Sequence, residues 1–159
     1  MPIDCNLKID GVDGESAHKD HKGEIEVLSW SWAVSQPTQS GLGGGGGKGK
    51  ALPASLQWTH AYDKASPVLA KQCASGKHFP TATLTVRKAG EGQKDFLKVT
   101  LKKVLIASVA PGGNRGGDVA ETVTMDYDDI EFEYKEQKSD GSLGGSVKFG
   151  WDITSTETR

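Results

Sequence analysis

Five consecutive glycines, Gly43 to Gly47, lie directly downstream of the run Glu24-Ile-Glu-Val-Leu-Ser-Trp-Ser-Trp32. A tryptophan-rich strand belongs in a packed sheet, where its rings bury large areas. A glycine run cannot hold packed structure by itself, because ordering glycine costs more backbone entropy than ordering any other residue. A chain that carries both needs something outside the glycine segment to give that segment a role, which points to assembly rather than to chemistry. The bland alternative for Ser40 to Lys50 is a linker between domains. The residues before it hold only two strand patterns, too few for an independent sheet domain. The expectation is therefore one domain over 1–159 with an extended loop over about 38–53. As a random coil, about ten residues of such a loop reach roughly 15–20 Å, enough to touch an adjacent subunit, and the loop is expected to be mobile until docked.

A chain of 159 residues is long enough to bury a core without staples. Its formal charge of −2 implies no bulk attraction to nucleic acid or to an anionic membrane. No apolar run is long enough to span a bilayer, so no membrane insertion is expected. Met-Pro-Ile-Asp-Cys-Asn lacks the basic region and apolar run of a signal peptide, which predicts a protein made in the cytoplasm. Cys5 alternates with Leu7 and Ile9, and Cys73 lies beside Leu69 on a helical pattern; both read as small buried hydrophobes rather than a disulfide pair.

Strand patterns cover Asp4–Ile9, Glu24–Gln36, Ser55–Tyr62, Ala82–Lys88, Lys94–Ala110, Glu121–Gln137 and Ser146–Ile153. Their β-branched and aromatic content, separated by Gly, Pro and Asp clusters, predicts an all-β fold. One short α-helix is expected, capped by Ser66, with Pro67 at its first position and Gly76 at its exit. Three strands change phase. Ile25 and Val27 give way to Leu28, Trp30, Trp32 and Val34; Leu97, Val99 and Leu101 to Val104 and Ile106; Val123, Met125 and Tyr127 to Ile130, Phe132 and Tyr134. With a side-chain period of two, a switch means a bulge, a strand whose second half enters another environment, or a strand covered on both faces, one of them by a partner. The fold is then a strongly coiled sandwich or a closed, compact β-barrel.

Candidate chemistry is thin. His18, Asp20, His21 and Glu24 crowd one polar loop, but zinc needs three or four ligands on a framed scaffold and no second cluster answers them. Gly43–Lys48 resembles a phosphate loop only superficially, since Lys48 is followed by Gly49 and then by a strand. No serine sits in a nucleophile elbow and neither cysteine has an activating neighbour. No catalytic residue, metal or cofactor is expected, and the chain is read as no enzyme. Two rivals stay open: a barrel that stacks a sugar or small molecule on Trp30 and Trp32, and a hydrolase using His60 or His78 with an acid. Charge is more suggestive. Lys94, Lys98, Lys102 and Lys103 make one strand basic, while Asp118, Glu121, Asp126, Asp128, Asp129, Glu131 and Glu133 make the next acidic. These strands pair within the chain, present merely solvated faces, or meet between protomers.

The order and spacing of several segments resemble the haemolysin-coregulated (Hcp) family, the tube protein of the bacterial type VI secretion system. They are Asp4–Ile9, Gly14-Glu-Ser16, Glu24-Ile25, Val27–Trp32, Gly43–Gly47, Ser75-Gly-Lys-His78, Leu84–Gly90 and Gly150-Trp151. The resemblance spans essentially the whole chain. It implies a compact β-barrel with one helix alongside, and a homohexamer that closes into a ring. Rings then stack into a hollow tube inside a contractile sheath, tipped by a valine-glycine-repeat spike protein and carrying small effector proteins in the lumen. Localisation would be cytoplasmic before firing and extracellular afterwards, without a signal peptide. By the same resemblance, Gly41, Leu42, Gly43, Gly44, Gly45, Gly46, Gly47 and Lys48 form the ring-stacking loop, and Ser31 faces the lumen as a cargo contact.

Overall fold

The computed structural model describes residues 2–37, 51–90 and 92–159. In chain order the elements are β1 (Ile3–Ile9), β2 (Ile25–Val27), β3 (Ser29–Ser31), β4 (Val34–Ser35), β5 (Leu52–Pro53), β6 (Leu56–Ala61), α1 (Ala65–Ser75), β7 (Phe79–Lys88), β8 (Asp95–Gly112), β9 (Ala120–Asp126), β10 (Asp129–Gln137), β11 (Leu143–Asp152) and β12 (Glu157–Thr158). The fold is all-β with one short helix, as the residue types predict. No helix among the described residues is long and apolar enough to cross a membrane.

One ladder runs β12-β11-β10-β8-β7-β1-β2, and a second runs β3-β6-β9-β8, so β8 belongs to both. Its first half pairs with β7 and β10, and its second half with β9. The phase switch read in the sequence falls where it changes neighbours. Val99 and Leu101 are buried before it, Val104 and Ile106 after it. Lys103 between them has φ 53, a left-handed residue that turns the following side chains onto the other face.

The other two switches are breaks, which corrects the expected single strands over Glu24–Gln36 and Glu121–Gln137. The first divides at Leu28, because β2 pairs with β1 while β3 pairs with β6. The second divides at Tyr127–Asp128, where β9 leaves the second ladder and β10 enters the first. The ladders do not close into a barrel; the bent segment 25–31 carries the chain across the open side, where the Leu28 N–H donates to the Thr59 carbonyl at 2.8 Å. Of the two architectures foreseen, the coiled, open arrangement is the one formed.

The core lies between the two ladders. Leu7, Ile9, Ile25, Trp58, Leu84 and Ile130 are buried in it, each stabilising the fold by roughly 1.5–3 kcal/mol through removal from water. The helix adds Leu69, also fully buried. It starts at Ala65, so Ser66 is not its cap and Pro67 stands third; first-turn N–H groups have no partner within the helix, so proline removes no intrahelical bond there. Instead the Asp63 carboxylate accepts the Ala65 N–H at 2.9 Å. Gly76, at φ 67, ends the helix as expected.

Candidate functional site

Gly41 to Lys48 lie outside the described residues, but the segment that holds them is framed. β4 pairs with β5, Val34 opposite Pro53 and Ser35 opposite Leu52, and the Ala54 N–H donates to the Ala33 carbonyl at 2.8 Å. Residues up to 37 and from 51 onward are thus joined side by side at one two-stranded stem. Ser31 ends β3, exposed, opposite Gln57 of β6. Its neighbours turn the other way. Trp30 is half-buried against the core, in register with buried Trp58. Trp32 packs on Phe132 and Phe149 with ring centroids 4.9 and 6.4 Å away, and donates its indole N–H to the Tyr127 hydroxyl at 2.6 Å. Tyr127 in turn donates to the Ala54 carbonyl at 2.7 Å. The tryptophans are therefore engaged with the protein itself.

The loop holding His18, Asp20, His21 and Glu24 folds over the outer face of β1 and β7. Close approach of this loop to the chain at Glu24 requires Gly14, where a Cβ would run into the Glu24 carbonyl. His21 is buried, with Nδ1 3.0 Å from Glu24 and Nε2 3.2 Å from Asp95. Arg87 of β7 is the residue that organises the cluster: its Nε donates to Asp95 at 2.7 Å and a terminal nitrogen to Asp20 at 3.0 Å. The hydrogen bond from Arg87 holds the Asp20 carboxyl below the usual carboxylate range. Burial pushes Asp95 up, but the bonds from Arg87 and His21 outweigh it and hold it low. The sequence reading gathered the loop residues and missed Arg87 and Asp95, which complete the network. No group of three or more His, Cys, Asp or Glu among the described residues is arranged to hold a metal ion.

The two histidines of the hydrolase reading part company. His60 is wholly buried, its Nε2 2.8 Å from Glu121, which is itself sealed between β6 and β9. No substrate reaches that pair. His78 is exposed. Burial raises the Cys5 thiol, and both cysteines are free.

Charge on β8 and β10 is largely settled within the chain. Asp129 stands opposite Lys102 and Glu133 opposite Lys98 in register. Lys103 reaches Asp128 at 3.5 Å, Lys148 reaches Glu133 at 3.2 Å, and Arg159 reaches Asp129 at 2.7 Å. What is left over is apolar. The face of β10 and β11 that buries Ile130 and Trp151 continues through Phe132 and Phe149 to Tyr134 and Val147, which stand in solvent. Among the described residues the β11 edge before Gly150 has no pairing strand on its outer side, since β12 and Arg159 reach only Gly150, Trp151 and Asp152. Among the described residues this apolar patch is uncovered and lies beside a strand edge with no pairing neighbour; exposed apolar patches of this kind commonly mark interaction surfaces.

A family model described as "Type VI secretion system effector, Hcp" matches residues 6–134. The protein hcp1 of Pseudomonas aeruginosa is 47% identical over 156 residues, 96% of each chain. Among solved structures, Hcp1 from Salmonella typhimurium is 38% identical with TM-score 0.83 and full coverage of both chains. A structure described as a type six secretion system protein is 30% identical with TM-score 0.93, covering 99% of this chain and 100% of the other.

Proposed function

The chain belongs to the Hcp family of type VI secretion proteins, and we propose on that premise that it is the structural subunit of the secretion tube. Six copies close into a ring, and rings stack into a hollow tube that the sheath expels behind the valine-glycine-repeat spike. The observation that carries this reading is the exposed continuation of the β10–β11 core face, Tyr134 and Val147, beside an edge that no other described residue pairs with. A head-to-tail contact at such a surface covers the patch and, where its rotation closes, generates a ring without free edges.

Within this reading the chain is one domain over 1–159, made in the cytoplasm and exported by tube expulsion. Gly41 to Lys48 meet the next ring, their stem at β4 and β5 setting where the segment departs. Ser31, exposed on β3, faces the lumen and touches small effector cargo. Electron microscopy of the purified protein is the test. Rings, and tubes under crowded conditions, are expected; isolated compact particles would remove the tube role. Replacing Gly44 to Gly46 with valine is expected to leave rings and abolish tubes, and long tubes from that variant would take the stacking role away from the loop.

A further inference from the structure

The outward face of β1 and β2 gathers oxygen acceptors that the fold leaves unused. Asp4 and Asn6 alternate with the core residues Cys5 and Leu7, so they lie on the opposite face of β1. Glu26 stands opposite Asn6 in register, between buried Ile25 and Val27, and shares that face. A groove of about 410 Å³ opens there, lined by all three together with Ile3 and Leu28. Asn6 is 2% exposed, and its Oδ1 has no hydrogen-bond partner. A buried acceptor without a donor is costly and is usually met by one from elsewhere. Among the described residues neither Asp4 nor Glu26 enters an ion pair. Arg87, opposite Asp4 across the β1–β7 ladder, is committed to Asp95 and Asp20.

An occupant that suits this groove is cationic, donates hydrogen bonds and tolerates an apolar wall. Calcium takes roughly six to eight oxygens, and no group of three or more His, Cys, Asp or Glu among the described residues is arranged to hold a metal ion. A primary ammonium carries three N–H donors and no acceptor, which matches two carboxylates and one amide oxygen. The flanks suit an alkyl stem, since Ile3 is 50% and Leu28 69% exposed. The volume falls within the range of small-molecule sites and is far larger than an ion fills. We propose that the β1–β2 groove binds a primary aliphatic amine, its ammonium held by Asp4, Glu26 and Asn6 Oδ1 and its alkyl chain lying between Ile3 and Leu28. Both the acceptors and the apolar flanks come from one copy of the chain, so the site stands independently of the tube reading.

Calorimetric titration of the purified protein with 1,4-diaminobutane tests it, with the native mass recorded in the same buffer. Saturable binding of one diamine per chain is expected. Glu26→Gln and Asp4→Asn should each weaken it about tenfold or more, because each removes a charged hydrogen-bond acceptor. Both changes keep side-chain shape outside the core, so unchanged melting curves are expected alongside. Tetramethylammonium chloride, a cation without N–H groups, should give no saturable heat. Leu28→Ser should weaken 1-aminohexane and leave methylamine unaffected. Equal binding of tetramethylammonium, or diamine binding unchanged in both carboxylate variants, would reduce the groove to diffuse charge attraction and overturn the inference. Saturation by calcium chloride without diamine binding would overturn it in favour of a metal. Tighter binding of Nα-acetyl-lysine amide than of the diamine would hand the groove to a protein side chain instead. Absence of heat with every probe, whatever the native mass, overturns it as well.

Discussion

The two ends of the β10–β11 hairpin follow one pattern and meet opposite fates. At the inner end Ile130 faces Trp151 across the ladder, and both are buried. Two rungs outward on the same face, Tyr134 faces Val147, and both are exposed. Between them Phe132 and Phe149 rest on Trp32. Alternation continues without interruption while the core runs out. The apolar face extends further than the described residues cover, and on the tube reading the surplus is surface for a neighbouring copy. Where the chain does cover itself, it seals even polar groups, as at His60 and Glu121.

Breaking the covered end should have the largest effect. Trp151→Ala is expected to lower folding stability by about 3–5 kcal/mol, from lost burial and a residual cavity, measured by urea unfolding. At the uncovered end, Val147→Asp should change folding stability by no more than about 0.5 kcal/mol while reducing the native mass. Equal losses at both positions would erase the distinction. Next in size is the sealed polar pair: Glu121→Ala leaves the His60 imidazole without its partner and should destabilise by about 1–3 kcal/mol.

The Arg87 network makes the covered side of the molecule sensitive to acid. Asp20 and Asp95 have folded-state pKa values below their unfolded ones. Their contribution is present above the unfolded value, about 3.9, and is lost as pH falls through the lower folded values. Melting temperature should therefore drop across this acid range in the parent and drop less in Arg87→Met, which is already weaker at neutral pH. Parallel acid limbs in both proteins would dissociate Arg87 from those shifts. The smallest structural effect is expected for Ser31→Gln: an unchanged melt and native mass, with altered retention of a lumen cargo in a pull-down.

Much of the fold was legible in residue order. The switch at Val99–Ile106 was visible as a change of parity, and Lys103 supplies its cause in a single left-handed residue. The breaks at Leu28 and Tyr127 were visible only as the same parity signal, because a bulge and a change of sheet leave identical patterns. Leu28 illustrates the limit. It shares parity with half-buried Trp30, yet it stands in solvent at the crossing between ladders. An apolar residue reads the same whether its own chain or a neighbour covers it. Arg87 was hidden for another reason: its partner Asp20 lies 67 residues away, so only the folded register brings them together. The glycine segment was the plainest feature of the sequence, and Gly41 to Lys48 fall outside the described residues.

On the tube reading this chain completes itself with copies of itself. The native mass of the purified protein, by light scattering after size exclusion, tests it most directly. One species of about six protomers, falling on Val147→Asp, is the predicted result for a closed heterologous ring. A clean monomer across a wide range of concentration and salt would contradict it, and would leave the exposed Tyr134–Val147 face in need of a different partner.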